Sequence, residues 1–196
     1  LLVAAATFFL AREINRRAAA EDLLEELATT DPLTGLKNRR KFDAVLDEEW
    51  RRAWRSDEPL ALLMIDADHF KSLNDMLGHQ AGDQVLIVIA DAIRASARRA
   101  GDCTARFGGE EFAVLLPGLA ADRALPVAEA IRTAVAAHRA AGHAVSVSIG
   151  VACLKPSPSA LPERLVEAAD KALYEAKSQG RNRCCVALTA GLALVA

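Results

Sequence analysis

No excess of basic charge is present: 24 Lys+Arg against 26 Asp+Glu leave the chain at a formal net charge of −2. A protein that grips nucleic acid without regard to sequence is usually basic over a whole face, so no nucleic-acid polymer is expected as a partner. Cysteine is scarce as well. The four present include the adjacent Cys184 and Cys185 and form no CxxC pair, which excludes the common zinc spacings and a disulfide framework and fits a reducing compartment. The apolar stretch at residues 1–11 falls short of the ~20 residues that a bilayer-spanning helix needs. A Walker A loop and a GxGxxG turn are both missing, so the common nucleotide loops are excluded. An EF-hand starting at Asp66 also fails, because Lys71 and Leu77 stand where its loop requires Gly and Glu.

What is present reads as a packed protein. The chain is 52% hydrophobic and 26% charged, the balance of a globular domain and not of a disordered one. Its 196 residues leave room for one ordinary domain and an appendage. The sequence starts on Leu1 and not on Met, so a fragment or a processed product is expected. Residues 1–11 (LLVAAATFFLA) are followed by Arg12, Arg16 and Arg17. Two readings stay open for them: the second half of a membrane-spanning helix whose arginines face the cytoplasm, or an amphipathic or core helix. Glu13 to Ala28 is rich in Ala, Glu, Arg and Leu and predicts a long connecting helix, although Arg17 and Glu21 interrupt any clean heptad seam.

Between the ends, helix and strand signals alternate. Thr30-Asp31-Pro32 closes the connecting helix, since proline disfavours helix in the residue before it. Arg39 to Arg55 reads as a helix, and Pro59 precedes a buried run from Leu60 to Ile65 that ends on Asp66. A further helix is expected from about Gly82 to Ala100. Cys103 to Phe107 and Phe112 to Leu116 flank Gly108-Gly109, a hairpin signal. Leu125, Ala128, Ile131 and Val135 share a helix face that stops near Gly142. Val145 to Ala152 alternates with serine as a half-buried strand does. Leu161, Leu165, Ala168, Ala172 and Ala176 mark a last helix with Gly180 as its C-cap. Val186 onward starts a final strand. The expected class is α/β (α+β), a sheet of about five strands covered by helices.

Two acidic clusters stand where a core has no use for them. Asp66-Ala67-Asp68 follows the central strand, and Glu110-Glu111 follows the two glycines of the hairpin. Carboxylates at a strand end and an adjacent hairpin turn can converge on a hard cation such as Mg²⁺, which takes a few carboxylate oxygens plus water and phosphates. Glycine there lets the backbone approach a ligand or adopt positive φ. Taken singly, the first cluster also reads as a solvated strand end and the second as a polar turn. Lys71 and Asn74 fall where a short helix would carry them over the same edge, followed by Gly78-His79 and Gly82-Asp83. An amide that donates and accepts, with a carboxylate that accepts, suits a guanine edge. Lys177 and Arg181 end the last helix, where they can neutralise phosphate or complement the helix C-terminus.

Taken together, DPLTGLKNRRKF (Asp31 to Phe42), DADHFKSLND (Asp66 to Asp75), GHQAGD (Gly78 to Asp83), RFGGEEF (Arg106 to Phe112), SIGVA (Ser148 to Ala152) and AKSQGRNR (Ala176 to Arg183) resemble the GGDEF-domain diguanylate cyclases. The signature here is GGEEF, a variant that active members also carry. The resemblance implies a fold similar to the palm of nucleotidyl cyclases and polymerases, with a central antiparallel-rich sheet. It implies residues 1–29 as an N-terminal helix, 30–187 as the catalytic domain and 188–196 as a tail. It also implies condensation of two GTP into cyclic di-GMP in a homodimer, with Mg²⁺ as cofactor and Mn²⁺ as an admissible substitute. Carried over, Asp66, the Ala67 carbonyl and Glu110 would hold the metal, and Glu110 would take the 3′-hydroxyl proton with Glu111 assisting. Asn74 and Asp83 would read guanine, with His79 and Phe70 beside them. Lys71 would meet the transferring phosphate, Lys177 and Arg181 the outer ones. Arg99 and Asp102 match the RxxD of a product-inhibition site, while Ala130 and Arg132 stand where some relatives carry a further arginine. The family commonly hangs from a sensor or membrane segment, so a cytoplasmic domain attached to the inner membrane through its N-terminal part is expected. The competing reading is an inactive GGDEF domain that serves as a GTP or cyclic di-GMP receptor.

Overall fold

The computed structural model describes residues 28–187 together with Arg12 and Arg16, which are helical and exposed. The apolar run at 1–11, most of the connecting helix and the tail at 188–196 lie outside the described residues, and with them the expected membrane attachment. Among the described residues no helix is long and apolar enough to cross a membrane.

The chain leaves the connecting helix at Thr29 and turns through Asp31, whose carboxylate accepts from the Thr34 amide (2.9 Å) and hydroxyl (2.6 Å). A two-residue strand β1 (Lys37–Asn38) leads straight into α1 (Arg39–Ser56), because the Asn38 side chain accepts from the Lys41 amide and caps the helix. Then follow β2 (Leu60–Ala67), α2 (Phe70–Leu77), α3 (His79–Ser96), β3 (Cys103–Arg106), β4 (Glu111–Pro117), α4 (Ala121–Ala136), a small hairpin β5 (Arg139–Ala140) and β6 (His143–Ala144), β7 (Val147–Leu154), α5 (Glu163–Ser178) and β8 (Cys184–Val186).

Six strands form one sheet in the order β1-β3-β4-β2-β7-β8. The four central strands pair antiparallel, but β1 joins β3 and β8 joins β7 in parallel. The sheet is therefore mixed, with its antiparallel part in the middle as expected. The sixth strand is β1, which two residues could not announce by alternation. Helix bounds moved too. The helix expected from Gly82 starts at His79 and ends at Ser96, so Arg99 to Asp102 form a turn rather than a last helical coil. Leu161 lies before α5 and is exposed, and Leu125 is only half-buried beside the fully buried Ala124, Ala128, Ile131 and Val135.

Strand β2 is buried along its whole length, since helices cover both faces of the sheet. Ala61, Leu63, Ile65 and Ala67 meet Val85, Ile89 and Ile93 of α3 and Ala128 and Ile131 of α4. Leu60, Leu62 and Met64 meet Phe42, Leu46 and Trp50 of α1 and Leu165, Ala169 and Leu173 of α5. This alternation fixes where the next residues go. Asp66 continues the face shared with α5, at the point where the apolar run stops.

Candidate active site

The C-terminal end of β2 is the meeting point of four elements, β2, β4, β7 and α5. In register with it are Glu111 of β4 and Ser148 of β7, both opposite Asp66, and Val147, opposite Ala67. The Ala67 amide donates to the Glu110 carbonyl (3.2 Å), which fastens the hairpin turn to the strand end. From above, α5 brings Lys177 down so that its Nζ lies 2.8 Å from Asp66 Oδ2. Asp66 is 7% exposed. Burial pushes its carboxyl above the ordinary value, Lys177 pulls it back, and the charges of Glu111 and Asp68 add to the rise. Burial likewise pushes Glu110 up, helped by the charges of Asp66 and Glu111. Opposite residues of an antiparallel pair share a face, so Asp66 and Glu111 add negative charge on one side that a single lysine answers.

The signature turn is held from outside. Arg106 donates from Nε (3.1 Å) and Nη2 (2.7 Å) to the Gly109 carbonyl, and its Nη1 lies 3.2 Å from Asp31. Burial alone would raise the Asp31 carboxyl, but hydrogen bonds from Thr34 and the Arg106 guanidinium hold it below the usual carboxylate range. Phe107 packs edge-on against Phe42 and under the Arg39 guanidinium, 4.4 Å from the ring centre. Neither Gly108 nor Gly109 has a positive φ; close approach is what Gly108 supplies. A Cβ at Gly108 would come within 2.5 Å of the Glu111 carboxylate, whereas one at Gly109 would meet nothing within 4 Å and project into open space.

Across the edge, α2 and α3 form a short helical hairpin turned by Gly78 at φ 81°. Asn74 lies over Gly82, where any Cβ would collide with its Oδ1 and crowd Phe70. That oxygen is buried and accepts no hydrogen bond, an arrangement that costs about 1–3 kcal/mol unless a ligand donor completes it. Phe70 is nearly buried and forms the floor. Lys71, His79 and Asp83 are exposed at the surrounding helix starts. Among the described residues none of their side chains has a hydrogen bond or ion pair, and neither has the Arg181 guanidinium.

The Asp31–Arg106 pair is not visible in the sequence, because 75 residues separate its members. Asp68, the other half of the first acidic cluster, is taken up by the protein's own groups. Its carboxylate accepts from Ser146 Oγ (2.7 Å), Ser148 Oγ (2.6 Å) and the Asn182 amide (3.0 Å).

A separate feature lies at the opposite end of the β3–β4 hairpin. Arg99 donates to the Pro117 carbonyl (3.1 Å), and Asp102 Oδ2 accepts from the Arg99 amide (2.9 Å). Asp102 Oδ1 is buried without a hydrogen bond, with Arg99 Nη1 4.0 Å away. The length of β4 separates this turn from Glu111 by about 20 Å, at roughly 3.4 Å per residue. Arg132 does not join it. Its guanidinium is held by Glu129 (2.8 Å) and Asn182 (3.0 Å) on the other side of α4.

A model of the family described as diguanylate cyclase, GGDEF domain, matches residues 28–183. The chain belongs to the GGDEF-domain family. This GGDEF domain is 40% identical over 176 residues to the diguanylate cyclase DgcM of Escherichia coli K12, a match that takes in 89% of the chain and only 42% of that protein. The chain thus spans less than half the length of that curated relative. The coiled coil and GGDEF domain of DgcB from Caulobacter crescentus, solved in complex with c-di-GMP, superpose with a TM-score of 0.86 at 34% identity, covering 95% of this chain and 100% of that one. The active GGEEF domain of a diguanylate cyclase from Vibrio cholerae gives a TM-score of 0.73 at 34% identity, over 78% of this chain and 98% of that one.

Proposed function

We propose that this GGDEF domain condenses two GTP into cyclic di-GMP with release of two pyrophosphates, as one half of a homodimeric site. The observation that carries the reading is the single sheet edge that gathers Asp66, Glu110 and Glu111 against Lys177, with the unpartnered Asn74 oxygen a few residues away. The guanine edge meets Asn74 and Asp83: the amide oxygen accepts from the exocyclic amino group, and the carboxylate accepts from N1–H. Phe70 backs the base, and His79 borders it. Lys71, Lys177 and Arg181 supply positive charge along the triphosphate, with Lys71 at the transferring phosphate.

Among the described residues no three His, Cys, Asp or Glu side chains form a ready metal cage. The donors that converge do suit Mg²⁺, with Mn²⁺ as an alternative: a hard cation takes one or two carboxylates and completes its shell with water and phosphate oxygens. Asp66, Glu110 and the Ala67 carbonyl would hold it, and when bound it activates the attacking oxygen and stabilises the leaving one. Lys177 stays close enough to trade its contact with Asp66 for an outer phosphate. Glu110 accepts the 3′-hydroxyl proton as that oxygen attacks the α-phosphorus of the second nucleotide, with Glu111 beside it. Each domain holds one GTP, so the attacking hydroxyl and the α-phosphorus that it attacks belong to nucleotides on different domains; positioning two half-sites face to face supplies most of the rate.

The Arg99–Asp102 turn is the place for product inhibition, since its unpartnered buried carboxylate oxygen and fork-shaped guanidinium suit guanine and phosphate. The same reading puts the domain in the cytoplasm, with residues 1–11 as the candidate attachment to the inner membrane. Chromatography of the products after incubation with GTP and Mg²⁺ tests the activity, with Glu110→Gln as control. Cyclic di-GMP made by the parent chain only is the expected result. A cyclic mononucleotide would overturn the two-domain geometry, and bound GTP without turnover would convert the reading to that of a receptor.

A further inference from the structure

Strained backbone marks the turn after α5. Arg181 (φ 62°) and Asn182 (φ 46°) are consecutive residues in the left-handed region. Asparagine tolerates that region, but arginine has no intrinsic preference for it, so the surroundings must impose it. Two side chains do so. Asp68 accepts the Asn182 amide (3.0 Å) while two serine hydroxyls of β7 and its approach fix the same carboxylate. Arg132 on α4 donates to Asn182 Oδ1 (3.0 Å), itself steadied by Glu129. Beyond the turn, the Arg183 carbonyl accepts from the Ile149 amide (2.9 Å), which ties the exit to β7. The clamp has every partner it needs, whereas the Arg181 side chain that it presents is exposed and bonded to nothing among the described residues.

We infer that Asp68 is a positioning residue for the nucleotide's outer phosphates: it holds the left-handed turn that sets Arg181, with Arg132 as the second hold. The inference rests on the reading above that Arg181 meets those phosphates. It gives the two aspartates of Asp66-Ala67-Asp68 different jobs, Asp66 toward the cation and Asp68 toward the backbone that carries an arginine.

The test uses Asp68→Asn, in which an N–H₂ group replaces one of the acceptors, in the full chain. In the nucleotide-free protein, hydrogen exchange at the Asn182 amide should speed up at least tenfold. GTP affinity should fall about tenfold while GMP affinity stays within a factor of two, because GMP lacks the outer phosphates. In an Arg181→Ala background the same substitution should leave GTP affinity unchanged, since a residue acting through another loses its effect when that other is gone. If Asp68→Asn proves unfolded, Ser146→Ala, which removes one donor to the carboxylate, is read in the same three ways. Equal losses for GTP and GMP, or independent losses in the double variant, would overturn the inference and leave the cyclase reading standing. Unchanged exchange at Asn182 would overturn the clamp itself. A parent chain that binds no GTP would overturn the cyclase reading and the phosphate role together, while the exchange measurement still decides whether Asp68 holds the turn.

Discussion

Two sets of polar groups around the end of β2 obey opposite rules: a frame flank, defined by its internal partners and standing on both sides of the strand, and an open flank without them. In the frame, Asp31 with Arg106 on the β3 side, and Asp68 with Ser146, Ser148 and Asn182 on the β7 side, are charges satisfied by the protein's own groups. On the open flank, Lys71, His79, Asp83 and Arg181 have no side-chain partner among the described residues, and the Asn74 oxygen is buried without one. Buried or confined polar groups are ordinarily paired. The difference teaches where the fold ends and the ligand begins: the frame contributes stability, and the open flank is completed by something the chain does not contain.

Substitutions in the two sets should act differently. The largest effect belongs to Glu110→Gln, which should reduce product formation by roughly 10²–10⁴-fold, the range of a lost general base. In metal-free buffer its melting temperature should be no lower than that of the parent. The sign follows from proton linkage. Burial and neighbouring carboxylates raise Asp66 and Glu110 above their ordinary 3.8 and 4.5, so the folded state binds more protons than the unfolded one just above those values. Their contribution to stability is fully present below that window and declines as pH climbs through it. Asp66→Asn should therefore flatten the loss of melting temperature as pH climbs above the ordinary carboxylate value of 3.8; a steeper loss would contradict the assigned charges.

On the frame flank the pattern reverses. Arg106→Ala should lower stability by about 1–3 kcal/mol, the cost of leaving a partner unpaired, and should lower turnover about tenfold or more because the Gly109 carbonyl loses its hold. Asp31 is depressed, so its contribution is present above its ordinary 3.8 and disappears as pH falls through and below that value. Parent protein should thus show an acid-side loss of melting temperature that Arg106→Ala lacks in part. A variant with turnover lost and melting unchanged would place Arg106 on the open flank.

Smaller effects follow. Asn74→Ala should weaken GTP binding about tenfold, roughly 1.4 kcal/mol, without loss of melting temperature, because it removes a buried acceptor that lacks a donor; unchanged affinity by calorimetric titration would contradict the guanine role. Smallest is Arg99→Ala, which should raise the cyclic di-GMP concentration needed for half-inhibition several-fold. An unaltered inhibition curve would remove the second site.

Much of this was legible before any coordinates. The apolar run into Asp66, the hairpin around Gly108-Gly109 and most of the helix faces of α1, α4 and α5 arise from periodicity within one segment; the structure keeps them except for the exposed Leu161, the half-buried Leu125 and the end of α4, which comes at Ala136 and not near Gly142. What stayed hidden was non-local. Strand β1 is two residues long and pairs with β3 across most of the domain's first half, and Asp31–Arg106 and Asp68–Ser148 join residues 75 and 80 apart. Local spacing also could not separate Asp66 from Asp68, which are identical in type and two residues apart. Strand alternation places both on one face, and what separates them is their partners: Asp66 meets Lys177, while Asp68, beyond the end of β2, is held by Ser146, Ser148 and the Asn182 amide. Of the two uses expected of the signature glycines, Gly108 shows close approach, and neither shows positive φ.

If one open flank holds one GTP, two flanks must meet for reaction. The initial rate of cyclic di-GMP formation, followed against protein concentration at saturating GTP and Mg²⁺, decides this. The rate should climb faster than linearly at low concentration and become linear once the domains are paired. A rate strictly proportional to protein down to the lowest concentrations, from a chain shown to be monomeric there, would contradict it.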